Sequence, residues 1–499
     1  MEYKNYGFSN SLMETREKLL GQGINPYPYS FEHRHNVKDI LQDIQKSDDI
    51  NLLIGEVYFT AGRVWAKRTM GKSVFADLKD STGKIQCYFN AKNLTENEWF
   101  IILNIDLGDI IGIAGIVFRT KTGENTLRVK KIELLSKVVV PIPIGKETDE
   151  KVYYRASDPE LKYRERYLHW MLNENDRNRI LLRNKIISLI RSKMEQEGFL
   201  EVSTPTIEFV YGGAEARPFR TNIWALSNKD AFLRISPELY LKRYIVAGFE
   251  KVFTICQNFR NEGIDLSHNP EFTMMEWYES YTDYEFQMNR FENLVASVCN
   301  EINGSLKIIY QGIELDFTPP WKRISVVQAL KEYSNLDVTG MTIDSLKTEL
   351  NKREIEYNRE ITFGLAISML FEHDCEEHLI QPTFVIDHAI EISPLTKVKR
   401  GDKRFVERFE PFVCGIEIGN AYSELTDPID QLERLLNQRQ NQSEDFENHP
   451  VDSDFVKAIG CGMPPTGGVG LGIDRLIMLL TDSQNIRDII PFPMIKPKY

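Results

Sequence analysis

Between residues 56 and 140 the sequence falls into five short β-type runs: EVYFTAGRVWAK, KSVFADLKD, GKIQCYF, DIIGIAGIVFRT and NTLRVKKIELL. Turn-forming stretches (TMGK, STG, KTGEN) separate them. Short strands packed this densely can each bury a face only by closing into a small barrel or sandwich. The same segment holds thirteen Lys and Arg against nine Asp and Glu, in a chain whose formal charge is −12. The segment is therefore +4 and the remainder −16. That asymmetry suits nucleic-acid contact by one module of an otherwise acidic protein.

The pattern changes on either side. Upstream, SLMETREKLLGQ reads as a short polar helix left through the turn-rich GINPYPYS, so residues 1–55 are expected to form a helical extension. Downstream, residues 141–175 read as a linker, with two prolines, a charge run and no sustained period. In RNKIISLIRSKMEQEGFLEVSTP, Ile186, Ile190 and Met194 recur every fourth residue, the stripe of a helix that stops at Gly198. FLEV follows as a strand, and helical and strand-like text then alternates irregularly. An α+β domain is expected over 176–499. The polar stretch 437–452 reads as a surface excursion. The longest apolar run, 101–118, is interrupted by Asp106 and Asp109, too early for a membrane span. The first residues hold no apolar signal region, and the six cysteines are scattered without a CxxC pair. A cytoplasmic protein is expected.

Three stretches carry chemistry. FRNEGIDLSHNPEF, 259–272, reads as a strand, a polar turn and a second strand, with hydrogen-bonding side chains concentrated at the tip. Its plain alternative is a solvated hairpin. FEPFVCGIEIGNAYSEL, 409–425, embeds Glu410 and Glu417 in apolar strand-like text, with Asn420, Tyr422 and Glu424 following at period two. Buried acids need cations, and two carboxylates without histidine suit a hard ion such as Mg²⁺. An amphipathic edge strand is the alternative. GGVGLGIDRLIMLL, 467–480, has glycines that let backbone approach a ligand and Arg475 in the first turn of a helix. Its spacing is wrong for a dinucleotide fingerprint, and no clear strand precedes it. HDCEEH, 373–378, has zinc-type ligands, but a helix would point residues two apart away from each other, so a surface helix face is the better reading.

Together these segments resemble the signature motifs of class II aminoacyl-tRNA synthetases. RNKIISLIRSKMEQEGFLEVSTP looks like motif 1, FRNEGIDLSHNPEF like motif 2 and GVGLGIDR like motif 3. GGAEARPF, SPELYLKR, HNPEFTMMEWY, EIGNAYSEL and IRDIIPFP are similar to the lysyl-tRNA synthetase family in particular, and the resemblance covers nearly the whole chain. It implies an all-β OB-fold barrel at 56–140 joined to a class II catalytic domain on an antiparallel sheet. It also implies a reaction of L-lysine, ATP and tRNA(Lys) through lysyl-adenylate, a Mg²⁺ cofactor and a homodimer.

By that resemblance Arg260 grips the substrate carboxylate and α-phosphate, and Arg475 shares the catalytic charge. Glu262 and Asn269 bond around the nucleotide, and His268 lies near the phosphates. Phe272 and Arg475 sandwich adenine, and Glu410 and Glu417 hold Mg²⁺. Gly213 and Glu238 receive the α-amino group; Glu276, Tyr278 and Glu424 read the side-chain ammonium; Asn420, Tyr422 and Gly470 line the pocket. Arg63, Phe75 and Gln86 read the anticodon. Trp277, between two site residues, faces the other way and packs. Two departures concern the pocket rim: Glu215 stands where a small residue is usual, and RTNIWALSNKDAFLRI differs from the family's more polar pattern. The competing readings are an aspartyl- or asparaginyl-type synthetase, the paralogue that attaches an amino acid to a protein, and a non-catalytic nucleic-acid-binding paralogue.

Overall fold

The computed structural model describes residues 3–46, 55–144, 147–148, 151–152, 161–357, 360–440 and 451–497. Much of the expected linker, and residues 441–450 of the expected polar excursion, lie outside the described residues. The chain divides into two compact units, Met1–Lys162 and Tyr163–Tyr499.

In the first unit, helices α1 (Asn10–Gly21) and α2 (Val37–Lys46) precede five strands. These are β1 (Tyr58–Met70), β2 (Ser73–Lys79), β3 (Lys84–Asn90), β4 (Ile110–Arg119) and β5 (Asn125–Ser136), closed as a barrel in the order β1-β2-β3-β5-β4. Period-two alternation decides which side chains enter it: Val74, Ala76 and Leu78 are buried, whereas Phe75 and Asp77 face outward. Val37, Ile40 and Ile44 of α2 join the same core. Helix α3 (Glu96–Asn104), between β3 and β4, was not anticipated from the apolar text. Its reciprocal Thr95–Glu98 capping box is nonetheless the T-x-x-E signature of a helix start. Asp106 and Asp109, the acids that interrupt the apolar run, both meet the buried Lys137 ammonium, at 2.6 and 2.8 Å.

In the second unit, helix α4 (Glu174–Gln196) buries Ile186, Ile190 and Met194. The strands of the main sheet are β6 (Leu200–Glu201), β7 (Lys251–Phe259), β8 (Glu271–Ser280), β9 (Lys322–Ser325), β10 (Thr383–Ile386), β11 (Arg408–Val413), β12 (Ile416–Glu417), β13 (Gly419–Ser423) and β14 (Thr466–Gly472). They run in the order β9-β10-β11-β13-β14-β8-β7-β6, with β12 paired to β11. The interior is antiparallel, as expected. The outermost pairs, β6–β7 and β9–β10, are parallel, because long helix-containing connections join them.

Two readings of single segments change. The stretch 409–425 is not one strand but β11, β12 and β13, bent where Cys414 and Gly415 take φ of 53° and 71°. The glycine run is not a loop lacking a strand: it is itself β14, between β13 and β8 in the sheet, and Ile473–Leu480 follows as a helix. Trp277, Val469, Ala421 and Phe409 are paired across four neighbouring strands, and all four are buried in the main core. Phe291 of the helix Tyr284–Asn303 packs against Trp277, whose indole N–H donates to Gln287 Oε1 at 2.8 Å. The opposite face of the same strands is left for a ligand. Behind them, Arg183 of α4 donates to Thr273 Oγ1 (2.8 Å) and to Asp474 Oδ1 (3.1 Å), while the Thr273 N–H donates to Asp474 Oδ2 (2.7 Å).

Candidate active site

Side chains two apart on β8 share a face, so Phe272, Met274, Glu276 and Tyr278 all turn away from Trp277 and line a cavity of about 390 Å³. Glu276 is opposite Gly470, which is opposite Asn420; Tyr278 is opposite Gly468, which is opposite Tyr422. The glycines of β14 make the space. A β-carbon on Gly468 would stand 1.9 Å from Glu424 Oε1 and 2.5 Å from the Tyr278 ring. Gly213 is restricted twice, by a φ of +86° and by Ser236 Oγ at 2.9 Å from its would-be β-carbon.

The closed end of the cavity is acidic. Ser236 Oγ donates to Glu276 Oε1 (2.8 Å) and the Tyr278 hydroxyl to Oε2 (3.2 Å). Burial, reinforced by the charge of Glu238, pushes the Glu276 carboxyl up to about 8. Glu238 opens the helix Glu238–Val246, and one turn later the wholly buried Lys242 donates to its Oε1 at 2.6 Å. The Tyr422 hydroxyl donates to Glu238 Oε2, also at 2.6 Å. Lys242 pairs in addition with Glu424 Oε2. Burial alone would lower the Lys242 ammonium, but Glu238 and Glu424 more than reverse this and hold it above its ordinary range. Of the residues expected to meet an amino acid, Gly213, Glu238, Glu276, Tyr278, Asn420, Tyr422 and Gly470 line the cavity. Glu424 sits one layer back, fully buried behind Gly468, and among the described residues neither of its oxygens accepts a hydrogen bond, Oε2 being held by the Lys242 ion pair.

At the open end the hairpin β7–β8 supplies Arg260, whose backbone N–H donates to Pro270 O at 2.9 Å. Its guanidinium lies 5.2 Å from the centre of the Phe272 ring, and its Nε has no hydrogen-bond partner among the described residues. Arg475, in the first turn of Ile473–Leu480, donates to the Glu417 carbonyl (2.7 Å), to Glu417 Oε2 (3.2 Å) and to His268 Nε2 (3.1 Å). Asp265 holds His268 Nδ1 at 2.8 Å, so the ring proton belongs on Nδ1. The cation over Phe272 is thus Arg260, whereas Arg475 is tied to Glu417 and His268. Glu262 stands exposed at the rim. Asn269 is committed to backbone: its Nδ2 donates to Glu271 O (2.5 Å), and its Oδ1 accepts from the Met494 N–H (3.3 Å).

Glu417 faces this cavity, but Glu410 faces a neighbouring one of about 440 Å³, with Glu372 and Glu376. Arg408 donates to Glu410 Oε1 at 2.6 Å and to Asn420 Oδ1 at 3.0 Å. Burial and then the charge of Glu410 raise the Glu417 carboxyl. Each acid has one oxygen on an arginine and one that accepts no hydrogen bond among the described residues. Two mutually repelling carboxylates with open oxygens fit a divalent cation that completes its shell with phosphate. In HDCEEH, His373 bonds Asp374 (2.7 Å), His378 stacks on Tyr333 (5.6 Å), and Cys375 is buried. Among the described residues no group of three or more His, Cys, Asp or Glu could hold a metal by itself.

The barrel presents a second surface. Phe75 is half-buried on its outer face, 4.9 Å from Tyr88, which lies 5.9 Å from Phe118; Arg128 stands 4.7 Å over Phe118. Gln86, on the same face, bonds Glu124 (2.8 Å) and Thr126 (3.0 Å). Arg63 points outward farther along β1, and its guanidinium donates to Gly108 O at 2.6 Å. Phe75 and Gln86 come together; Arg63 does not join them.

A family model described as "tRNA synthetases class II (D, K and N)" matches residues 158–496, two-thirds of the chain. The chain belongs to the class II tRNA synthetases. A second model, "OB-fold nucleic acid binding domain", matches residues 58–135, the barrel strands. The synthetase is 46% identical to a protein named lysine–tRNA ligase from Thermoanaerobacter sp. (strain X514), over 98% of this chain and 97% of that one. A protein of the same name from Clostridium novyi (strain NT) is also 46% identical, over 100% and 97% of the two chains. One from Clostridium acetobutylicum is 45% identical, over 97% and 93%.

Sequence reasoning missed three parts of this synthetase. Lys242 enters the acidic end because it lies four residues after Glu238 on one helix face, a spacing visible in SPELYLKR. Ser236, two residues before Glu238, was passed over for the same reason: nothing in the text marks a serine as a carboxylate's donor. Tyr88 and Phe118 belong to the barrel's outer face, and period two from Gln86 would have found Tyr88. The helix length and apolarity needed to cross a membrane occur nowhere among the described residues.

Proposed function

We propose that this aminoacyl-tRNA synthetase joins L-lysine to tRNA(Lys). The observation that carries the reading is Oε1 of Glu424, a carboxylate oxygen withdrawn from water behind the Gly468 wall of the cavity, which accepts no hydrogen bond among the described residues. An unfilled acceptor in that position is costly unless a cationic donor arrives. An aspartate or asparagine side chain would meet the wrong group there. The cation at that end, Lys242, is already held by two carboxylates. The relatives named lysine–tRNA ligase support the same substrate.

In the reaction, a lysine carboxylate oxygen attacks the α-phosphorus of ATP, pyrophosphate leaves, and a mixed anhydride forms. A terminal ribose hydroxyl of tRNA then attacks the lysyl carbonyl and AMP leaves. Both partners of the first step are anions, so the site must neutralise charge and align the reactants more than it must move protons. Arg260 is suited to the α-phosphate: it is desolvated, aimed into the cavity and has an unused Nε. Phe272 offers a ring for adenine, with His268 and Arg475 alongside for the phosphates and Glu262 at the rim. Glu238 is the acceptor for the α-amino group beside Gly213, and Glu276, Tyr278 and Glu424 receive the side chain. Asn420, Tyr422 and Gly470 line its path, and Asn269 supports the hairpin through backbone. Mg²⁺ is the ion that Glu410 and Glu417 suit, and it would supply charge neutralisation on the phosphates.

Phe75 and Gln86 are the readers proposed for the anticodon, with Arg63 at the edge of that face. The barrel suits tRNA use rather than attachment of an amino acid to a protein. A homodimer is proposed as well. Leu200, Ile207, Phe209, Trp224 and Leu226 are all exposed near the motif 1 strand and the short sheet beside it, Trp224 by 85%. The working compartment proposed is the cytoplasm.

ATP–pyrophosphate exchange tests the substrate. Exchange that depends on lysine is expected; exchange with aspartate or asparagine and none with lysine overturns the reading.

A further inference from the structure

The closed end of the pocket gathers three carboxylates, Glu238, Glu276 and Glu424, and one ammonium, Lys242. The carboxylates have six oxygens: four accept hydrogen bonds, and a fifth, Glu424 Oε2, is held by its ion pair with Lys242 alone. Ser236 and Tyr278 take those of Glu276; Lys242 and Tyr422 take those of Glu238; Lys242 takes Oε2 of Glu424. The sixth, Glu424 Oε1, is open and lies against Gly468, which forms the pocket wall. Lys242 reaches this point from the helix that carries Glu238, and its ammonium sits among the Tyr422 and Phe455 rings at 5.6 and 5.8 Å. It therefore decides two things at once: which acceptor stays free, and how much negative charge the pocket retains.

We propose that Lys242 is a specificity-determining positioning residue, which occupies Glu238 and one oxygen of Glu424, leaves Glu424 Oε1 as the acceptor for the substrate, and offsets part of the negative charge at the closed end of the pocket. Lysine brings two ammonium groups, and the inference rests on the lysine reading above. Glu276 is already protonated below about pH 8, and without Lys242 the remaining carboxylates would share the dry site with no cation at this end to offset them. One would take a proton, and Glu424 would lose the contact that fixes its orientation. The pocket would then receive lysine poorly and exclude a neutral side chain less sharply.

The test is ATP–pyrophosphate exchange with Lys242→Met, Lys242→Gln and Lys242→Arg, titrating lysine, ATP and norleucine (lysine without its terminal amine). The uncharged variants are expected to raise KM for lysine about 10-fold or more and to lose a similar factor of discrimination against norleucine, while KM for ATP stays within about 2-fold. Arginine, which keeps the charge, is expected to recover part of the loss. Three results would overturn the assignment: an unchanged lysine KM in the uncharged variants, lysine and ATP KM rising together as a merely structural role requires, or arginine no better than methionine. Should Lys242→Met fail to fold, Lys242→Gln against Lys242→Arg makes the same comparison. Exchange by the unaltered protein tests lysine as substrate separately, so the two ideas fail independently.

Discussion

Glu424 and Gly468 are built around each other: the carboxylate Oε1 stands 1.9 Å from where any other residue would place its β-carbon. Alanine at 468 must displace both that carboxylate and the Tyr278 ring, whose nearest atom is 2.5 Å from the same point. The first moves the acceptor and the second moves its neighbour. Gly468→Ala is expected to raise KM for lysine about 10-fold or more, roughly 1.4 kcal/mol, with a smaller change for ATP. Equal effects on both substrates, in pyrophosphate-exchange kinetics, would sink the idea that the glycine serves the amino-acid end.

The Glu276 carboxyl, held at about 8 by burial and Glu238, makes stability depend on pH. Unfolded, the group returns to its ordinary value of 4.5, so between 4.5 and about 8 the folded protein binds the extra proton. Its contribution is therefore full below 4.5 and is lost as pH rises through 8. The slope is at most about 1.4 kcal/mol per pH unit for one proton. Denaturant midpoints of the ligand-free protein should fall from pH 5 to pH 8, to about that extent, and less in Glu276→Gln. Parallel profiles for the two proteins would refute the assignment.

Among the described residues Arg183 is the one cation that the buried Asp474 meets at bonding distance, and the same aspartate holds the Thr273 N–H. Replacing only the arginine leaves an uncompensated charge beneath the site strand. Arg183→Met is expected to cost about 3–5 kcal/mol of stability, and the double change with Asp474→Asn to recover much of it. Urea unfolding followed by tryptophan fluorescence would measure both. Simple additivity of the two losses would contradict the coupling.

On the barrel, Phe75→Ala removes a half-buried outward ring and leaves the inward core untouched. Stacking is worth about 1–3 kcal/mol per base, so KM for tRNA should rise about 5- to 100-fold. Lysine-dependent pyrophosphate exchange, which needs no tRNA, should be unchanged. A loss in both assays would mean that the substitution damages the protein generally.

The fold was legible wherever burial writes a period. Ile186, Ile190 and Met194 announced their helix, and the five barrel runs announced their strands. Trp277 was correctly assigned to the side opposite Glu276 from alternation alone. β14 was not legible, because a strand whose residues must make room for others carries glycine where strand formers belong. The interleaving of acids and aromatics across β8, β14 and β13 was equally hidden, since register is a property of pairing and not of any one segment. Resemblance pointed to residues of the cavity but not to Lys242, whose partners Glu238 and Glu424 are distant from each other in sequence. The parallel sheet edges and the ties of Arg475 to Glu417 and His268 depend on three-dimensional contacts that no local pattern encodes.

One contact made in passing has a consequence in time. The hairpin that presents Arg260 and Phe272 is fastened by the Met494 N–H on Asn269 Oδ1, a partner 225 positions later in the sequence, and by the Ile486 N–H on Leu266 O at 2.7 Å. A ribosome adding about 5–20 residues per second takes roughly 10–45 s to travel from one to the other. Throughout that interval the growing polypeptide carries its hairpin without the clasp that secures it. The arrangement delays the finished hairpin until nearly all of the described residues of the second unit have been made.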